Sequence, residues 1–362
     1  MSDKLAGFRD IARVRTLADS IARLDPGRPV RLMHVCGTHE NVLCQYGLRE
    51  LLPEWLTLVA GPGCPVCVCP ASDLDLAIRA ASMLRVVLAT FGDVVRVPAA
   101  RTSLSDARAR GGDVRVVYGA ADAVALARAM PDREVVFFAA GFETTACTTA
   151  AALRADPPGN FSVLCSHRLV PPALDALLAL PGVAPHGFLL PGHVIAITGL
   201  GAYRELCLRR PIPMAVGGFE PVDLLLALKD LVEQVVDGRP RVGNDYTRVV
   251  RDLGNPAAIQ AIDAVFEARD STWRGIGMIP ASGLGLRRSF GGRDAAARFG
   301  LEPDPEVADT SPGCRCGDVL LGRLEPEACP LFAGACTPDL PIGPCMVAFE
   351  GTCAARYRHR RG

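Results

Sequence analysis

Short apolar runs alternate with amphipathic segments over the first 240 residues of the chain. Runs rich in Val, Leu and Phe predict eight strands, at 30–35, 56–60, 85–91, 114–119, 134–141, 161–166, 187–192 and 213–218. Helical spacing predicts helices at 121–130, 172–180 and 221–235. Because strands covered on both faces read as unbroken apolar runs, and because helices alternate with them, the pattern predicts α/β architecture with parallel sheets.

Two of the predicted strands end in the same way. The strand at 134–141 ends at Gly141, and Phe142 and Glu143 follow it. The strand at 213–218 ends at Gly218, and Phe219 and Glu220 follow it. A helix start follows in both cases. The match covers three residues, so it is consistent both with two related α/β units and with chance.

The pattern changes after residue 240. Residues 244–267 read as helical, whereas residues 271–292 are rich in glycine and predict irregular structure. Six cysteines then follow within residues 314–353, among many Gly and Pro residues. We interpret this last part as a small cysteine-bearing module rather than as a third α/β unit.

Composition and charge narrow the class of protein. The chain has 362 residues, 49% hydrophobic and 22% charged, with a formal net charge of zero, which argues against nonspecific nucleic-acid binding. The N-terminus lacks the apolar core of a signal peptide, and no uncharged apolar run reaches the roughly 18 residues of a membrane span. We therefore expect a cytoplasmic protein, in which fourteen cysteines indicate metal binding or catalysis more than disulfides.

The C-terminal cysteines have wide spacing. Cys316, Cys329, Cys336 and Cys353 are separated by 12, 6 and 16 residues, and Cys314 and Cys345 lie among them. Thiolates bind zinc or iron–sulfur clusters, but the paired C-x2-4-C knuckles of a structural zinc site are absent from the sequence. The spacing favours a [4Fe–4S] cluster, with zinc and a role without metal as alternatives.

A second group of cysteines follows two predicted strands. Cys36 comes after the first strand, where Thr38 is a candidate helix cap and where a helix N-terminus would lower the pKa of a thiol. Cys64 and Cys67 form a C-x-x-C pair after the second strand. Because functional groups collect at the carboxyl ends of parallel strands, we expect these thiols and His39 to meet in one cleft. The three thiols would serve there as metal ligands or as a redox pair with a third thiol.

Longer motifs join these positions to one known family. The segments HVCGTHE, GPGCPVC, AAGFETT, PGHV, GGFEPVDLL, WRGIGMIPASGL and the terminal CGDVL…CPLF…CTP…PCMVAFEGTCAARY resemble the [NiFe]-hydrogenase maturation family HypD, over residues 5 to 358. The resemblance implies two related α/β domains and a small C-terminal [4Fe–4S] domain. We accordingly divide the chain into 1–125, 126–240 and 241–362.

The resemblance also implies a function. Members of the family are scaffolds for assembly of the Fe(CN)2CO unit of the hydrogenase active site. They work with a small chaperone, HypC, and receive cyanide from HypE; neither a nucleic acid nor a membrane is expected as a partner.

The motifs carry roles to individual residues. Cys36 would be the iron ligand, His39 a proton-handling group, and Cys64 and Cys67 a redox pair beside the iron and candidate metal ligands themselves. The following residues would line the same cleft: Glu143, Thr144 and Thr145. The following would hold the cluster: Cys316, Cys329, Cys336 and Cys353. Glu143 also fits an ordinary acid in the first turn of a helix.

Two other classes of function share some of these features. A thiol–disulfide oxidoreductase that reduces a partner protein through its cluster would explain the C-x-x-C pair and the C-terminal cysteines, but not the segment around Cys36. A zinc-stabilised binding module would explain the C-terminal cysteines alone. Iron analysis would distinguish the zinc-stabilised module from an iron-binding scaffold. Infrared bands of CN and CO would distinguish the scaffold from the oxidoreductase.

Overall fold

The computed structural model describes residues 6–99 and 102–360. The strands within these residues are β1 Val30–His34, β2 Leu56–Ala60, β3 Val86–Thr90, β4 Asp113–Val116, β5 Glu134–Gly141, β6 Phe161–His167, β7 Gly187–Pro191, β8 Met214–Gly217, β9 Val242–Asn244, β10 Phe266–Trp273 and β11 Gly277–Leu286. The α-helices are α1 Ile11–Ala22, α2 Gly37–Gln45, α3 Pro65–Val68, α4 Ala71–Ala81, α5 Leu104–Ala109, α6 Ala120–Ala129, α7 Glu143–Arg154, α8 Val170–Ala179, α9 Gly192–Thr198, α10 Gly201–Arg209, α11 Pro221–Asp237, α12 Pro256–Val265, α13 Ala295–Phe299, α14 Cys316–Leu320, α15 Pro344–Val347 and α16 Thr352–Arg358. Short 3-10 helices lie at Ala6–Phe8, Leu48–Leu51, Gly92–Val94, Arg288–Arg293 and Pro326–Ala328.

The first sheet has the strand order β2-β1-β7-β8-β9, and all of its strands are parallel. Both faces of this sheet are apolar. Neighbouring residues of a strand point to opposite faces, so each strand contributes to two cores. Leu32 of β1 joins a core formed with α1 and α11, whereas Met33 joins a core formed with α8 and α10. Burial on both faces explains why these strands appear in the sequence as unbroken apolar runs.

The second sheet has the order β4-β3-β5-β6 and is also parallel. Leu88 of β3 pairs with Val114 on one side and with Val136 on the other. Helices again cover both faces: α4 and α5 share one core with Leu88, and α6, α7 and α12 share the opposite core with Val87. The predicted fold class, α/β with parallel sheets, is thus confirmed, and the eight predicted strands are present with small shifts of their ends.

The sheets do not divide the chain at residue 125. After β1 and β2 the chain leaves the first sheet, builds the second sheet from β3 to β6, and returns to the first sheet with β7. The predicted boundary falls between β4 and β5, which belong to the same sheet, and the division into 1–125 and 126–240 is corrected accordingly. Alternation of strands and helices indicates that sheets form, but it does not indicate which distant strands pair.

The region after residue 240 differs from the prediction in two places. The helix predicted over 244–267 is shorter: α12 begins after Asn255, whose side chain accepts a hydrogen bond from the Ala258 N–H at 3.2 Å. The glycine-rich segment is not irregular but forms the antiparallel hairpin β10–β11. Its glycines make room for close packing, since a Cβ on Gly283 would lie 1.9 Å from the Ser271 hydroxyl oxygen.

The cysteine-rich module, residues 312–360, is built from the short helices α14, α15 and α16. It is not a separate globule, because α15 packs on α3 and α16 packs on α2. Cys316 and Cys345 belong to the same buried core as Cys64, Cys67 and residues of the first sheet. Among the described residues, no helix is both long enough and apolar enough to cross a membrane.

Candidate functional site

Cys36 lies between β1 and α2, at the carboxyl edge of the first sheet. Its backbone is extended, and it is the residue that precedes the first turn of α2. Thr38 does not cap this helix, as the sequence had suggested; its hydroxyl instead donates a hydrogen bond of 2.8 Å to Glu350 of the cysteine-rich module. Cys36 is only 8% exposed, so its thiol lies inside the protein.

Burial decides the protonation of Cys36. The sequence predicted a lowered pKa at the helix N-terminus, but burial, aided by the negative charge of Glu350, raises the pKa of the thiol to about 12. The backbone N–H groups of His39 and Thr38 favour the thiolate, but they do not outweigh desolvation. Cys36 is therefore a neutral thiol near pH 7, and a metal cation that binds its sulfur would have to displace the proton.

Cys64 and Cys67 follow β2 and form a disulfide across the single turn of α3, with their Cα atoms 5.2 Å apart. Cys64 is 3% exposed and Cys67 is fully buried. Gly63 brings this turn against Cys36: its carbonyl accepts a hydrogen bond of 3.2 Å from the Gly37 N–H. A Cβ on Gly63 would lie 2.2 Å from the Cys36 nitrogen, so only glycine permits this approach.

His39 is fully buried in the first turn of α2. Its Nε2 lies 3.3 Å from the Gly217 carbonyl oxygen at the end of β8, and its ring stacks on Phe219 at 5.0 Å. Burial lowers the pKa of His39 to about 3, so the ring is neutral. With the proton on Nε2, Nδ1 is an acceptor, and it has no partner among the described residues.

Glu143 begins α7 at the carboxyl end of β5 and is buried. One carboxyl oxygen accepts a hydrogen bond of 3.0 Å from the Val170 N–H, and burial raises the pKa of Glu143 to about 7. Thr145 donates to the Phe142 carbonyl at 3.0 Å, and Thr144 is half-buried beside it. Within the described part of the chain no hydrogen bond links these residues to Cys36 or the disulfide, so their place in one cleft stays a prediction.

The six C-terminal cysteines surround a single small cavity. Its lining contains the thiols of Cys314, Cys316, Cys329, Cys336, Cys345 and Cys353. The rest of the lining is mainly apolar and includes no His, Asp or Glu. Across residues 6–99 and 102–360, no group of three or more His, Cys, Asp and Glu side chains is placed to hold a single metal ion. The thiols thus enclose a volume instead of converging on one point.

These thiols also interact with one another. Hydrogen bonds from Cys314 and Cys345 lower the pKa of Cys316, and the same contacts raise the pKa values of the two donors. A Cβ on Gly343 would lie 2.5 Å from the Cys314 sulfur, so the chain closes tightly over this cavity. The cavity is suited to a group that binds several thiolates at once.

A buried ion-pair network, not foreseen from the sequence, joins the module to α2. Glu40 contacts Nε2 of His34 at 2.6 Å, Arg49 at 2.6 Å and Arg356 of α16 at 2.7 Å. Although burial alone would raise it, these partners hold the pKa of Glu40 well below its usual range. Arg356 also pairs with Glu325. The network holds α16, which carries Cys353, against α2, the helix that follows Cys36.

Glu350 is a second residue that sequence reasoning missed. It contacts Thr38 through its carboxyl group, and its backbone lies against Gly37. The neighbouring Phe349 accepts a hydrogen bond of 3.1 Å from Asn41. The cysteine-rich module therefore forms one wall of the Cys36 site.

Fold and site together define a class: a two-sheet α/β protein in which a buried thiol, a C-x-x-C disulfide and a six-cysteine cavity belong to one continuous structure. The profile of the HypD family, described as "Hydrogenase formation hypA family", matches residues 12–360. The chain belongs to this family.

Relatives of similar length support the assignment. The chain is 45% identical to the hydrogenase expression/formation protein HupD of Azotobacter chroococcum, over 98% of this chain and 96% of the relative. It is 45% identical to the hydrogenase maturation factor HypD of Azotobacter vinelandii, with the same coverage. It is 44% identical to the hydrogenase maturation factor HypD of Escherichia coli, over 92% and 90% of the two chains.

Proposed function

We propose that this chain acts in hydrogenase maturation as the scaffold on which the Fe(CN)2CO unit of a [NiFe]-hydrogenase is assembled. The observation that carries the proposal is the contact between the Cys36 loop and the Cys64–Cys67 turn, made through Gly63. This contact supports the proposal because the proposed anchoring thiol and the proposed redox pair lie next to each other. The names of the relatives, as hydrogenase maturation factors, support the same conclusion.

Cys36 is the proposed anchor of the iron unit, which is the cargo of the reaction. Because its pKa is raised to about 12, the thiol keeps its proton until iron takes the proton's place. Low-spin iron carrying cyanide and CO is a soft centre, for which a thiolate is a suitable ligand. His39, neutral and with Nδ1 free, is the proposed proton-handling group.

Cys64 and Cys67 are the proposed redox pair. Reduction of their disulfide breaks the S–S bond and takes up two electrons and two protons, leaving two thiols beside the anchor. The disulfide lies in the same hydrophobic core as Cys316 and Cys345, which supports electron transfer to it from the cysteine-rich module. Glu143, whose pKa is raised to about 7, is a proposed proton-handling group of the same site. Thr144 and Thr145 are proposed to line that site.

The six-cysteine cavity fits a [4Fe–4S] cluster. Six thiols, Arg315 and otherwise mainly apolar residues line it, and no group of three or more His, Cys, Asp and Glu side chains among the described residues is placed to hold a single ion. The proposed ligands are Cys316, Cys329, Cys336 and Cys353, and the two other thiols line the same cavity. When bound, the cluster would supply single electrons; the protein's part is to hold it against the core that contains the disulfide.

The proposed partners are a HypC-type small chaperone, which shares the iron, and a HypE-type protein, which donates cyanide. We place this work in the cytoplasm. Membership of the family and the resemblance of the motifs support the proposal of these partners.

A thiol–disulfide oxidoreductase is the second candidate, and the disulfide between Cys64 and Cys67 is the observation that favours it. Burial argues against it. A thiol that attacks a partner protein is partly exposed, whereas Cys64 is 3% exposed and Cys67 is fully buried. Their proximity to Cys36 suits chemistry inside the protein.

Infrared spectroscopy of the chain, purified anaerobically with its small chaperone, separates the two candidates. A scaffold shows stretching bands of CN and CO together with bound iron. An oxidoreductase shows neither band, and it reduces a disulfide substrate in solution.

A further inference from the structure

Arg274 is a buried cation in the turn between β10 and β11. Arg274 is 1% exposed, and its side chain is among the largest of the fully buried side chains described. Its Nε donates to the Cys69 carbonyl at 2.7 Å, and its Nη1 donates to the Pro98 carbonyl at 3.1 Å. Its backbone N–H donates to the Val68 carbonyl at 2.9 Å. Arg274 therefore holds the chain that leaves the Cys64–Cys67 turn.

Among the described residues, no carboxylate forms an ion pair with the Arg274 guanidinium. Every hydrogen bond given above goes to a neutral carbonyl, and no ion pair of Arg274 occurs among residues 6–99 and 102–360. Its Nη2 is buried and has no hydrogen-bond partner in that part of the chain. Burying an unpaired charge is costly, so a buried guanidinium with a free N–H calls for an anion nearby.

The six-cysteine cavity lies beside this turn. Gly275, the next residue, packs against the backbone of Gly317: a Cβ on Gly275 would lie 2.6 Å from the Gly317 Cα. Gly317 follows Cys316, which lines the cavity.

We propose that Arg274 is a positioning residue that supplies the buried positive charge for the anionic thiolates of the six-cysteine cavity and ties that cavity to the Cys64–Cys67 turn. The inference rests on the proposed function, since the anion in question is the cluster with its thiolate ligands. Each one-electron reduction makes that group more negative. A nearby fixed cation favours the more negative state, so Arg274 raises the midpoint potential of the group in the cavity.

The test compares four full-length proteins: wild type, Arg274→Gln, Arg274→Lys and the control Arg315→Gln. Arg315 also lines the cavity, but it is exposed and paired with Asp318 at 2.5 Å, so solvent and the carboxylate screen its charge. Each protein is purified anaerobically and analysed for iron and sulfide. The visible absorbance is then titrated with dithionite and mediators, so that each reduction step adds one electron.

We expect Arg274→Gln to lower the midpoint potential by at least a tenfold change in the equilibrium constant, which is about 59 mV for a one-electron couple. Arg274→Lys keeps the charge and should stay within about threefold of wild type, as should Arg315→Gln. A merely structural role would change stability or iron content without moving the potential of the protein that retains its cluster.

Three results would overturn the inference. The first is an unchanged potential in Arg274→Gln with normal iron and sulfide. The second is an equal shift in Arg274→Gln and Arg315→Gln. The third applies if Arg274→Gln does not fold: a tenfold shift in Arg274→Lys would then show that charge is not the determinant. A wild-type protein without iron and sulfide would overturn the proposed cluster itself, and with it this inference.

Discussion

Gly37→Ala tests whether the cysteine-rich module forms the wall of the Cys36 site. A Cβ at position 37 would lie 2.1 Å from the Glu350 carbonyl oxygen and 2.8 Å from its carbonyl carbon. These are backbone atoms, so no side-chain rotation relieves the clash. The segment cannot easily move either, because the Thr38–Glu350 and Asn41–Phe349 hydrogen bonds and the Glu40–Arg356 ion pair hold it.

The magnitude follows from these contacts. Overpacking costs about 1–3 kcal/mol, and loss of the Thr38–Glu350 hydrogen bond adds about 1–3 kcal/mol, which gives about 2–6 kcal/mol in all. At about 2 °C per kcal/mol for a large domain, the apparent Tm should fall by roughly 4–12 °C. Since whole proteins are stable by about 5–15 kcal/mol, the fold should survive while the module moves away from α2.

The assay combines thermal unfolding with alkylation of Cys36, read by mass spectrometry. Gly201→Ala is the matched control, because Gly201 also begins a helix but has no atom within 4 Å of its would-be Cβ. We expect Gly37→Ala to unfold earlier and to expose Cys36 to the reagent. If the two variants have the same Tm and Cys36 is equally protected in both, the module is not the wall of this site.

Three further predictions follow from the same structure. Cys329→Ala should lose the iron and sulfide that wild type binds at about four each per chain, the stoichiometry of a cubane; stoichiometric zinc without sulfide in wild type would contradict the cluster. Cys64→Ser should fold and keep the visible absorbance but fail to mature hydrogenase, and normal maturation by this variant would show that the disulfide is incidental. Glu143 has a pKa raised to about 7 by burial, so the folded protein holds a proton that the unfolded chain releases above its usual pKa of 4.5. Glu143 therefore reduces stability as pH rises from about 4.5 to 7, and Glu143→Gln should gain up to about 3 kcal/mol at pH 7 and above but little at pH 4.5. Equal gains at both pH values in thermal unfolding would refute the raised pKa.

Local sequence located the thiols better than it located their surroundings. Cys36 and Cys64 each follow an apolar run, and the carboxyl ends of the paired strands β1 and β2 bring their loops together. The pairing of Thr38 with Glu350, by contrast, spans 312 residues, and that of Arg274 with Cys69 spans 205. Such contacts leave no periodic signal, so they could not be inferred.

The burial of individual side chains could also not be predicted from the local sequence. The position of Cys36 at a helix N-terminus was foreseen, but the direction of its pKa shift was not, because desolvation outweighs the backbone N–H groups. The hairpin β10–β11 was missed for a related reason. Glycine is unfavourable in strands in general, yet Gly283 lies in one because the Ser271 side chain occupies the space of a Cβ.

Infrared spectroscopy of Cys36→Ala, co-purified anaerobically with the small chaperone, tests the central proposal most directly. The matched control is Cys44→Ala, since Cys44 lies in the same helix, is half-buried, and contacts Glu40 instead of the disulfide turn. We expect wild type and Cys44→Ala to show CN and CO bands, and Cys36→Ala to lose them while keeping the visible absorbance of the cluster. Bands of full intensity in Cys36→Ala would contradict the assignment of Cys36 as the anchor of the iron unit.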